Sequence, residues 1–101
     1  VPMTNPEELI GAAHAGCFSM ALSSLIEEEG KVPGTVETSA KVTLEQREDG
    51  FWISEIHLIS RGSKQDLTND EFVALAEKAK STCPVSKLYS SATITLDAAL
   101  A

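Results

Sequence analysis

Two cysteines are the side chains in this sequence whose type and surroundings best suit chemistry. Cys17 lies in "AHAGCFSM" (residues 14–21), among small residues, and Cys83 lies in "KSTCPVSKLY" (residues 80–89). A free cysteine inside a helix usually packs as a small hydrophobic residue, so Cys17 alone indicates no function. Cys83 precedes Pro84, which favours the first turn of a helix, and the free N–H groups of such a turn lower the pKa of a thiol.

The segment around Cys17 is poor in bulky side chains. Its small residues are Gly11, Ala12, Ala13, Ala15 and Gly16. A glycine inside a helix costs roughly 1 kcal/mol relative to alanine, so two of them indicate that another backbone or a ligand approaches closely. A tight helix–helix contact would satisfy this requirement as well as a substrate would.

A metal site is the main alternative use of the thiols. The chain holds two histidines and two cysteines, which is the number of ligands in a tetrahedral zinc site; they are His14, Cys17, His57 and Cys83. Structural zinc sites use closely spaced pairs, whereas only His14 and Cys17 are close in this sequence. The sequence therefore favours hydrogen-bonded or solvent-facing histidines and no metal. It also has no glycine-rich phosphate loop and no G-x-S-x-G motif.

The overall composition restricts the class of protein. A chain of 101 residues with 43% hydrophobic residues is long enough for one small globular domain. Eight basic against fifteen acidic residues give a net charge of −7, which argues against binding to nucleic acid or anionic membranes. The sequence has no run of about 20 apolar residues, no signal-peptide pattern and too few cysteines for a disulfide scaffold, so we expect a cytoplasmic protein.

The first element must position Cys17. Proline and acidic residues near its start predict a helix over roughly 6–29, which Gly30 ends. The alternatives for its N-terminal capping box are Thr4 with Glu7 and Asn5 with Glu8. The spacing of its apolar residues predicts a buried stripe of Leu9, Ala13, Cys17, Met20, Ala21 and Ser24, widened by Leu22, Leu25 and Ile26. Because this stripe covers most of the circumference, we expect the helix to be central.

The remaining elements are a hairpin, a helix that Pro84 interrupts, and a last strand. In order, the patterns predict a strand over 36–44, an Asp49-Gly50 turn, a strand over 51–62, a helix with a Thr68–Glu71 capping box, and a strand over 91–97. The second helix has an apolar stripe of Phe72, Leu75, Ala76 and Ala79. Pro84 disrupts that helix or starts a new short one. Three strands cover a long apolar helix incompletely, so we expect a dimer, missing strands or both.

Two stretches are recognisable, "NPEELIGAAHAGCFSMALS" and "AKSTCPVSKLYSSATITLD". Together they resemble the OsmC/Ohr family of thiol peroxidases (osmotically inducible protein C and organic hydroperoxide resistance protein). The family pattern is N-P-E-x-L, a cysteine ten residues after the glutamate, and a second cysteine in a C-P-x-S element. Glu7, Cys17 and Cys83 occupy these positions. The resemblance extends over essentially all 101 residues, and "AAHAGCF" and "CPVSK" resemble the OsmC branch more closely.

The resemblance implies an α+β fold in which a long central helix packs on an antiparallel sheet, within an intertwined homodimer. It implies a cofactor-free peroxidase that reduces organic hydroperoxides to alcohols in oxidative or osmotic stress defence. Cys17 would attack the peroxide and become a sulfenic acid, Cys83 would convert it to a disulfide, and a dithiol reductant would restore both thiols. The alternative is a non-catalytic OsmC-like domain that binds an apolar ligand or a partner.

Glu7 is the third catalytic residue that the resemblance implies, and its role would be to hold an arginine against the thiolate. Ten helical residues rise about 15 Å, so Glu7 does not easily touch Cys17 of its own helix, and we expect a site completed across a subunit boundary. The family's arginine lies upstream of the N-P-E motif, and Arg47 and Arg61 match no family position. We therefore expect residues 1–101 to form a single, N-terminally truncated OsmC-like domain with a raised Cys17 pKa.

Overall fold

The computed structural model of the protein describes residues 5–101. Within this range the elements are α1 (Pro6–Glu28), β1 (Thr35–Arg47), β2 (Gly50–Ser63), α2 (Asn69–Thr82), α3 (Pro84–Leu88) and β3 (Thr93–Leu100). The predicted order of helix, hairpin, helix, short helix and strand is confirmed, and the fold is α+β. Pro84 starts a new helix instead of only ending the previous one.

The N-terminus of α1 is capped as one of the two alternatives predicted. The Asn5 side chain accepts a hydrogen bond of 2.8 Å from the Glu8 backbone N–H. This bond satisfies one of the N–H groups that the first helical turn leaves free. The other predicted cap, Thr4, lies outside the described residues. At the far end the helix stops at Glu28, and Gly30 follows with a φ of 75°, a conformation that favours glycine.

The buried face of α1 differs from the predicted stripe. The residues that it buries are Gly11, His14, Ala15, Phe18, Leu22 and Ile26, on the side that packs against β1 and α2. Leu9 and Met20, both members of the predicted stripe, are 61% and 76% exposed. The prediction is confirmed for Leu22 and Ile26 and wrong for Leu9 and Met20. It failed there because α1 is apolar on both faces, and a 3.6-residue period then cannot indicate which face is covered. Length and composition alone would even allow α1 to cross a membrane, a property shared by core helices of soluble proteins.

The hairpin between β1 and β2 is confirmed with its turn shifted by one residue. Arg47 lies opposite Gly50, so Glu48 and Asp49 form the turn and Gly50 already belongs to β2. Gly50 has a φ of 127°, which a residue with a side chain rarely adopts, and this explains the glycine at that position. A register shift between Thr43 and Leu44 accommodates one extra residue in β2.

The sheet is mixed, which corrects the expectation of an antiparallel one. Its strand order is β1-β2-β3, with β1 antiparallel to β2 and β3 parallel to β2. The physical reason is the connection, because α2 and α3 carry the chain back to the end of the sheet at which β2 began. β3 therefore runs in the same direction as β2, and its first residue, Thr93, lies opposite Glu55.

The core lies between the sheet and the two longer helices. Its fully buried members are Phe18, Leu22, Ile26, Ile56, Leu58, Phe72, Ala76 and Ala79. The predicted capping box of α2 is present, with the Glu71 N–H donating to Thr68 and the Thr68 N–H donating to the Glu71 carboxylate. α2 ends at Thr82, and the next residue, Cys83, is at once the C-cap of α2 and the N-cap of α3. The thiol of Cys83 is thereby fixed at the junction of two helices.

Candidate active site

The fold brings Cys17 and Cys83 together. Cys17 lies in the middle of α1 and Cys83 lies at the start of α3, and their sulfur atoms are 2.8 Å apart although 66 residues separate them in sequence. Both are free thiols. A disulfide bond is roughly 2.05 Å long, so a movement of less than about 1 Å would join the two sulfurs.

The two thiols differ in their access to solvent. Cys17 is half-buried and forms part of the wall of an open hollow, whereas Cys83 is fully buried. The hollow is lined mainly by small and apolar residues, namely Ala12, Ala13, Gly16, Cys17, Met20, Ala21, Ser24 and Pro84. Of the small residues noted in the sequence, Ala12, Ala13 and Gly16 leave open space beside Cys17. Gly11 instead allows the close approach of β1, where a Cβ would lie 3.2 Å from Val42. A molecule in this hollow meets the Cys17 sulfur first, with the Cys83 sulfur behind it.

The described surroundings of Cys17 oppose thiolate formation. Burial raises the pKa of the Cys17 thiol, and the adjacent Cys83 adds to this effect. The backbone N–H of Val85, in the first turn of α3, donates a hydrogen bond to the Cys17 sulfur and lowers the pKa, but it does not outweigh burial. No positively charged side chain within residues 5–101 contributes to this pKa. The raised pKa expected from the sequence is thus present.

Glu7 is not brought to the cysteines. It is half-buried near the start of α1 and borders hollows on the side of the hairpin, next to Leu44 and Phe51. The hollow beside Cys17 is a different one, and Glu7 is not among the residues that line it. The geometric argument that Glu7 does not reach Cys17 of its own helix agrees with this placement. The catalytic role of Glu7 stays a prediction.

The two arginines lie on the sheet and are engaged there. Arg47 pairs with Glu45 at 2.7 Å, and Arg61 pairs with Asp97 at 3.1 Å. The Arg61 guanidinium, through its hydrogen bonds and its charge, holds the pKa of the Asp97 carboxyl below its usual value. Neither arginine serves as a partner for a thiolate at Cys17.

A buried polar pair next to the cysteines was not predicted from the sequence. His14 Nε2 and Ser86 Oγ share a hydrogen bond of 2.7 Å, and both residues are buried. The His14 and Tyr89 rings are nearly perpendicular, with an interplanar angle of 88° and 5.5 Å between ring centroids. The signal available in the sequence was the spacing, because His14 is three residues before Cys17 and Ser86 is three residues after Cys83.

The four candidate zinc ligands do not come together in the described structure. His57 shares a hydrogen bond of 2.6 Å with Thr95 and lies on the face of the sheet opposite to Ile56 and Leu58, which are in the core. Between Asn5 and Ala101, no three histidine, cysteine, aspartate or glutamate side chains form a group that could hold a metal ion. We therefore interpret Cys17 and Cys83 as a pair of thiols and not as two ligands of a metal site.

Known proteins resemble this chain over most of its length. The family model described as OsmC-like protein matches residues 3–97. Peroxiredoxin OsmC of Escherichia coli K12 is 48% identical over 94 residues, which are 93% of this chain and 65% of that protein. Organic hydroperoxide resistance protein OhrA of Bacillus subtilis is 34% identical over 89 residues, 86% of this chain and 60% of that protein. The chain thus spans less than two thirds of the length of these curated relatives.

Solved structures share the fold. A Legionella pneumophila crystal structure, described as an organic hydroperoxide resistance protein OsmC and predicted redox protein, superposes with a TM-score of 0.84 at 26% identity, covering 98% of this chain and 72% of its own. The organic hydroperoxide resistance protein OhrB of Bacillus subtilis superposes with a TM-score of 0.78 at 28% identity, covering 100% of this chain and 73% of its own.

Proposed function

The chain belongs to the OsmC-like protein family, and on that premise we propose that it is a cysteine-based peroxidase that reduces organic hydroperoxides to alcohols. The observation that carries the proposal is the 2.8 Å approach of a half-buried Cys17 and a fully buried Cys83 beside an open apolar hollow. The Cys17 thiol is accessible to a substrate, and the Cys83 thiol lies within reach of the Cys17 sulfur. This is the arrangement that a two-cysteine peroxidase needs.

The proposed reaction has three balanced steps. The Cys17 thiolate attacks the terminal oxygen of ROOH, the O–O bond breaks, and the leaving alkoxide takes a proton to give ROH and a Cys17 sulfenic acid. The Cys83 thiol then attacks the Cys17 sulfur, which forms the disulfide and releases water. A dithiol reductant finally returns both cysteines to thiols by exchange and is itself oxidised to a disulfide. None of these steps needs a metal or an organic cofactor.

The lining of the hollow supports an organic peroxide as the substrate. Besides Cys17, the hollow is lined by alanine, glycine, methionine and proline residues, and the hydroxyl of Ser24 is the one polar group among the other lining side chains. An alkyl chain gains free energy by leaving water for such a surface, whereas hydrogen peroxide does not. We therefore propose that alkyl hydroperoxides are reduced faster than hydrogen peroxide.

A homodimer is part of the proposal, and Glu7 enters through it. The face of α1 that carries Leu9 and Met20 is apolar and exposed. A second copy packed on this face would border the hollow beside Cys17, which Met20 also lines, and would bring its own Glu7 toward that cysteine. By the family resemblance, that carboxylate would hold an arginine from a position upstream of Asn5. The proposed location is the cytoplasm, where a pair of thiols stays reduced between turnovers.

The decisive experiment follows both thiols during exposure to hydroperoxide. The reduced protein is mixed with a small molar excess of cumene hydroperoxide or tert-butyl hydroperoxide, quenched by alkylation and analysed by mass spectrometry. We expect both free thiols to disappear together and the peptides that contain Cys17 and Cys83 to be joined by a disulfide. Cysteines that stay reduced, or that become over-oxidised separately, would contradict the two-cysteine mechanism.

Two single substitutions assign the roles. Cys83→Ser should stop at a Cys17 sulfenic acid that dimedone traps, because nothing remains to convert it to the disulfide. Cys17→Ser should consume no hydroperoxide while Cys83 stays reduced behind it. The same assay on a chain extended N-terminally to include an arginine should turn over faster, because a cation lowers the pKa of Cys17.

The same hollow also supports a second candidate function. Its apolar surface and open shape would suit a domain that binds an apolar ligand or a partner without catalysis. Hydroperoxide consumption no faster than that of free cysteine, by both the present and the extended chain, would favour this alternative.

A further inference from the structure

We propose that His14 and Ser86 are positioning residues that fix α3 on α1 and thereby set the distance between the Cys17 and Cys83 sulfurs. The inference deepens the proposed function and rests on it for its importance in turnover. Its geometric part concerns only how the two thiols are held and is testable without a peroxide.

Two side-chain contacts, Cys17–Cys83 and His14–Ser86, connect the same two helical segments, α1 and the start of α3. On α1, His14 lies three residues before Cys17, and at α3 Ser86 lies three residues after Cys83. The sulfurs are 2.8 Å apart and the His14–Ser86 hydrogen bond is 2.7 Å long. The earlier residue on α1 contacts the later residue at α3, so the two helical segments run antiparallel. Moving one of the two contacts along the helices would therefore displace the other as well.

Burying the His14 side chain costs free energy, which indicates that the position of this side chain matters. The imidazole is fully buried, and its Nδ1 finds no hydrogen-bond partner among the described residues. An unsatisfied buried polar atom costs free energy, and an apolar side chain of similar size would avoid this cost. The hydrogen bond between His14 Nε2 and Ser86 Oγ is what the imidazole provides and an apolar residue would not.

α3 needs an external support of this kind. It is only five residues long, its N-cap has no side-chain hydrogen bond, and Pro84 contributes no backbone N–H. A helix this short is not stable by itself. Ser86 in its middle and Tyr89 at its end both contact His14, so a single side chain of α1 holds α3 at two points.

The distance between the sulfurs decides the fate of an oxidised Cys17. A sulfenic acid is either trapped by the second thiol or oxidised further to a sulfinic acid by another peroxide. The trapping rate depends on how much of the time the Cys83 sulfur lies within bonding reach, and small misplacements of reacting groups lower such rates steeply. A loosened α3 would therefore shift the outcome from disulfide to over-oxidation.

The test measures the effective concentration of the two thiols in a glutathione redox buffer. The variant is Ser86→Ala, and the matched control is Ser60→Ala. Ser60 is likewise a buried serine whose hydroxyl shares a hydrogen bond, with Thr38, but it lies in β2 and its hydrogen bond does not involve α3 or a cysteine. The fraction of Cys17–Cys83 disulfide is read by alkylation and mass spectrometry at a series of ratios of oxidised to reduced glutathione.

We expect Ser86→Ala to lower the effective concentration by about two- to tenfold, the range that corresponds to the net contribution of one hydrogen bond. A tenfold fall makes the reduction potential of the pair about 30 mV less negative. Ser60→Ala should leave it at the wild-type value. His14→Gln, whose amide can still reach Ser86, should lie between the wild type and Ser86→Ala.

Three results would overturn the proposal: equal values for Ser86→Ala and the wild type, an equal fall in Ser60→Ala, or no disulfide in the wild type at any ratio. A second arm adds cumene hydroperoxide and compares sulfinic acid with disulfide. Ser86→Ala should give several-fold more sulfinic acid than Ser60→Ala. A wild-type chain that forms the disulfide in glutathione but consumes no hydroperoxide would contradict the proposed function while the glutathione result still supports the positioning role.

Discussion

At the scale of a single residue, opposing influences act on the ionisation of the Cys17 thiol. Its half-buried position disfavours the charged form of the thiol, and the Val85 N–H favours it. Burial prevails, so the pKa lies above the ordinary value of a cysteine thiol. Since only the thiolate is nucleophilic, the surroundings that residues 5–101 provide make Cys17 a weaker nucleophile than a free cysteine at neutral pH.

The alkylation rate of Cys17 measures this balance. We expect iodoacetamide to react with Cys17 more slowly at pH 7 than with free cysteine, because a smaller fraction of the thiol is ionised. The rate should rise about tenfold per pH unit until the pH reaches the raised pKa, and then level off. Cys83→Ala removes a neighbour that raises this pKa and should therefore increase the rate at pH 7.

Peptide-resolved mass spectrometry separates the alkylation of Cys17 from that of Cys83. The reference is free cysteine measured at each pH under identical conditions. A Cys17 rate at pH 7 equal to or above that of free cysteine would show that burial does not control its ionisation.

At the scale of elements, the contact of α2 with β2 depends on the absence of a side chain at Gly62. A Cβ built there would lie 2.5 Å from the ring of Phe72, which is fully buried, and 2.9 Å from Gln65. Gln65 donates hydrogen bonds to the Pro33 and Thr35 carbonyls and has little freedom to move. The close approach, rather than an unusual backbone conformation, explains this glycine.

Gly62→Ala should therefore destabilise the protein by about 1–3 kcal/mol, because the added methyl group displaces the Phe72 ring from a packed core. Urea denaturation followed by circular dichroism gives the free energy of unfolding. The same substitution in a Phe72→Leu background should cost less, since the shorter side chain leaves room for the methyl group. Additive costs of the two substitutions would show that the ring is not what the methyl group meets.

The whole molecule is extended for its size. Its dimensions are 48 × 31 × 19 Å, and its radius of gyration is 14.5 Å, whereas a compact domain of about 100 residues has roughly 13 Å. Large apolar side chains are exposed on α1 (Leu9 and Met20) and in the hairpin (Leu44, Phe51 and Trp52). This shape agrees with the proposed homodimer, in which a second copy supplies the missing cover.

Met20→Lys tests the dimer at that face. Met20 is 76% exposed, so the substitution should hardly change the stability of the monomer. A lysine buried without a partner in an apolar interface should weaken the dimer by at least about 2 kcal/mol. Sedimentation velocity over a range of protein concentrations should show a wild-type dimer and a Met20→Lys monomer.

Ser81→Lys is the matched control, since it adds the same charge at an exposed position of α2. It should sediment like the wild type. A wild type that is monomeric at every concentration, or a Met20→Lys protein that dimerises unchanged, would contradict a dimer through this face of α1.

Local signals in the sequence determined the elements of this protein. Asn5 and Thr68 as caps, Pro84 as a helix start and the alternation before the hairpin depend on backbone geometry within a few residues, so they predicted the order of elements correctly. The same holds for the family, because Glu7, Cys17 and Cys83 form a motif of residue types and spacings. Such signals do not depend on how the elements pack.

Only the tertiary structure decided which parts of those elements meet. An α1 that is apolar on both faces gives no local sign of its buried side, and the parallel direction of β3 follows from the path of α2 and α3 over the sheet. The approach of Cys17 to Cys83 and of His14 to Ser86 joins positions 66 and 72 residues apart. Distances of that kind depend on packing energies summed over the whole domain, which no pattern within a short stretch of the sequence contains.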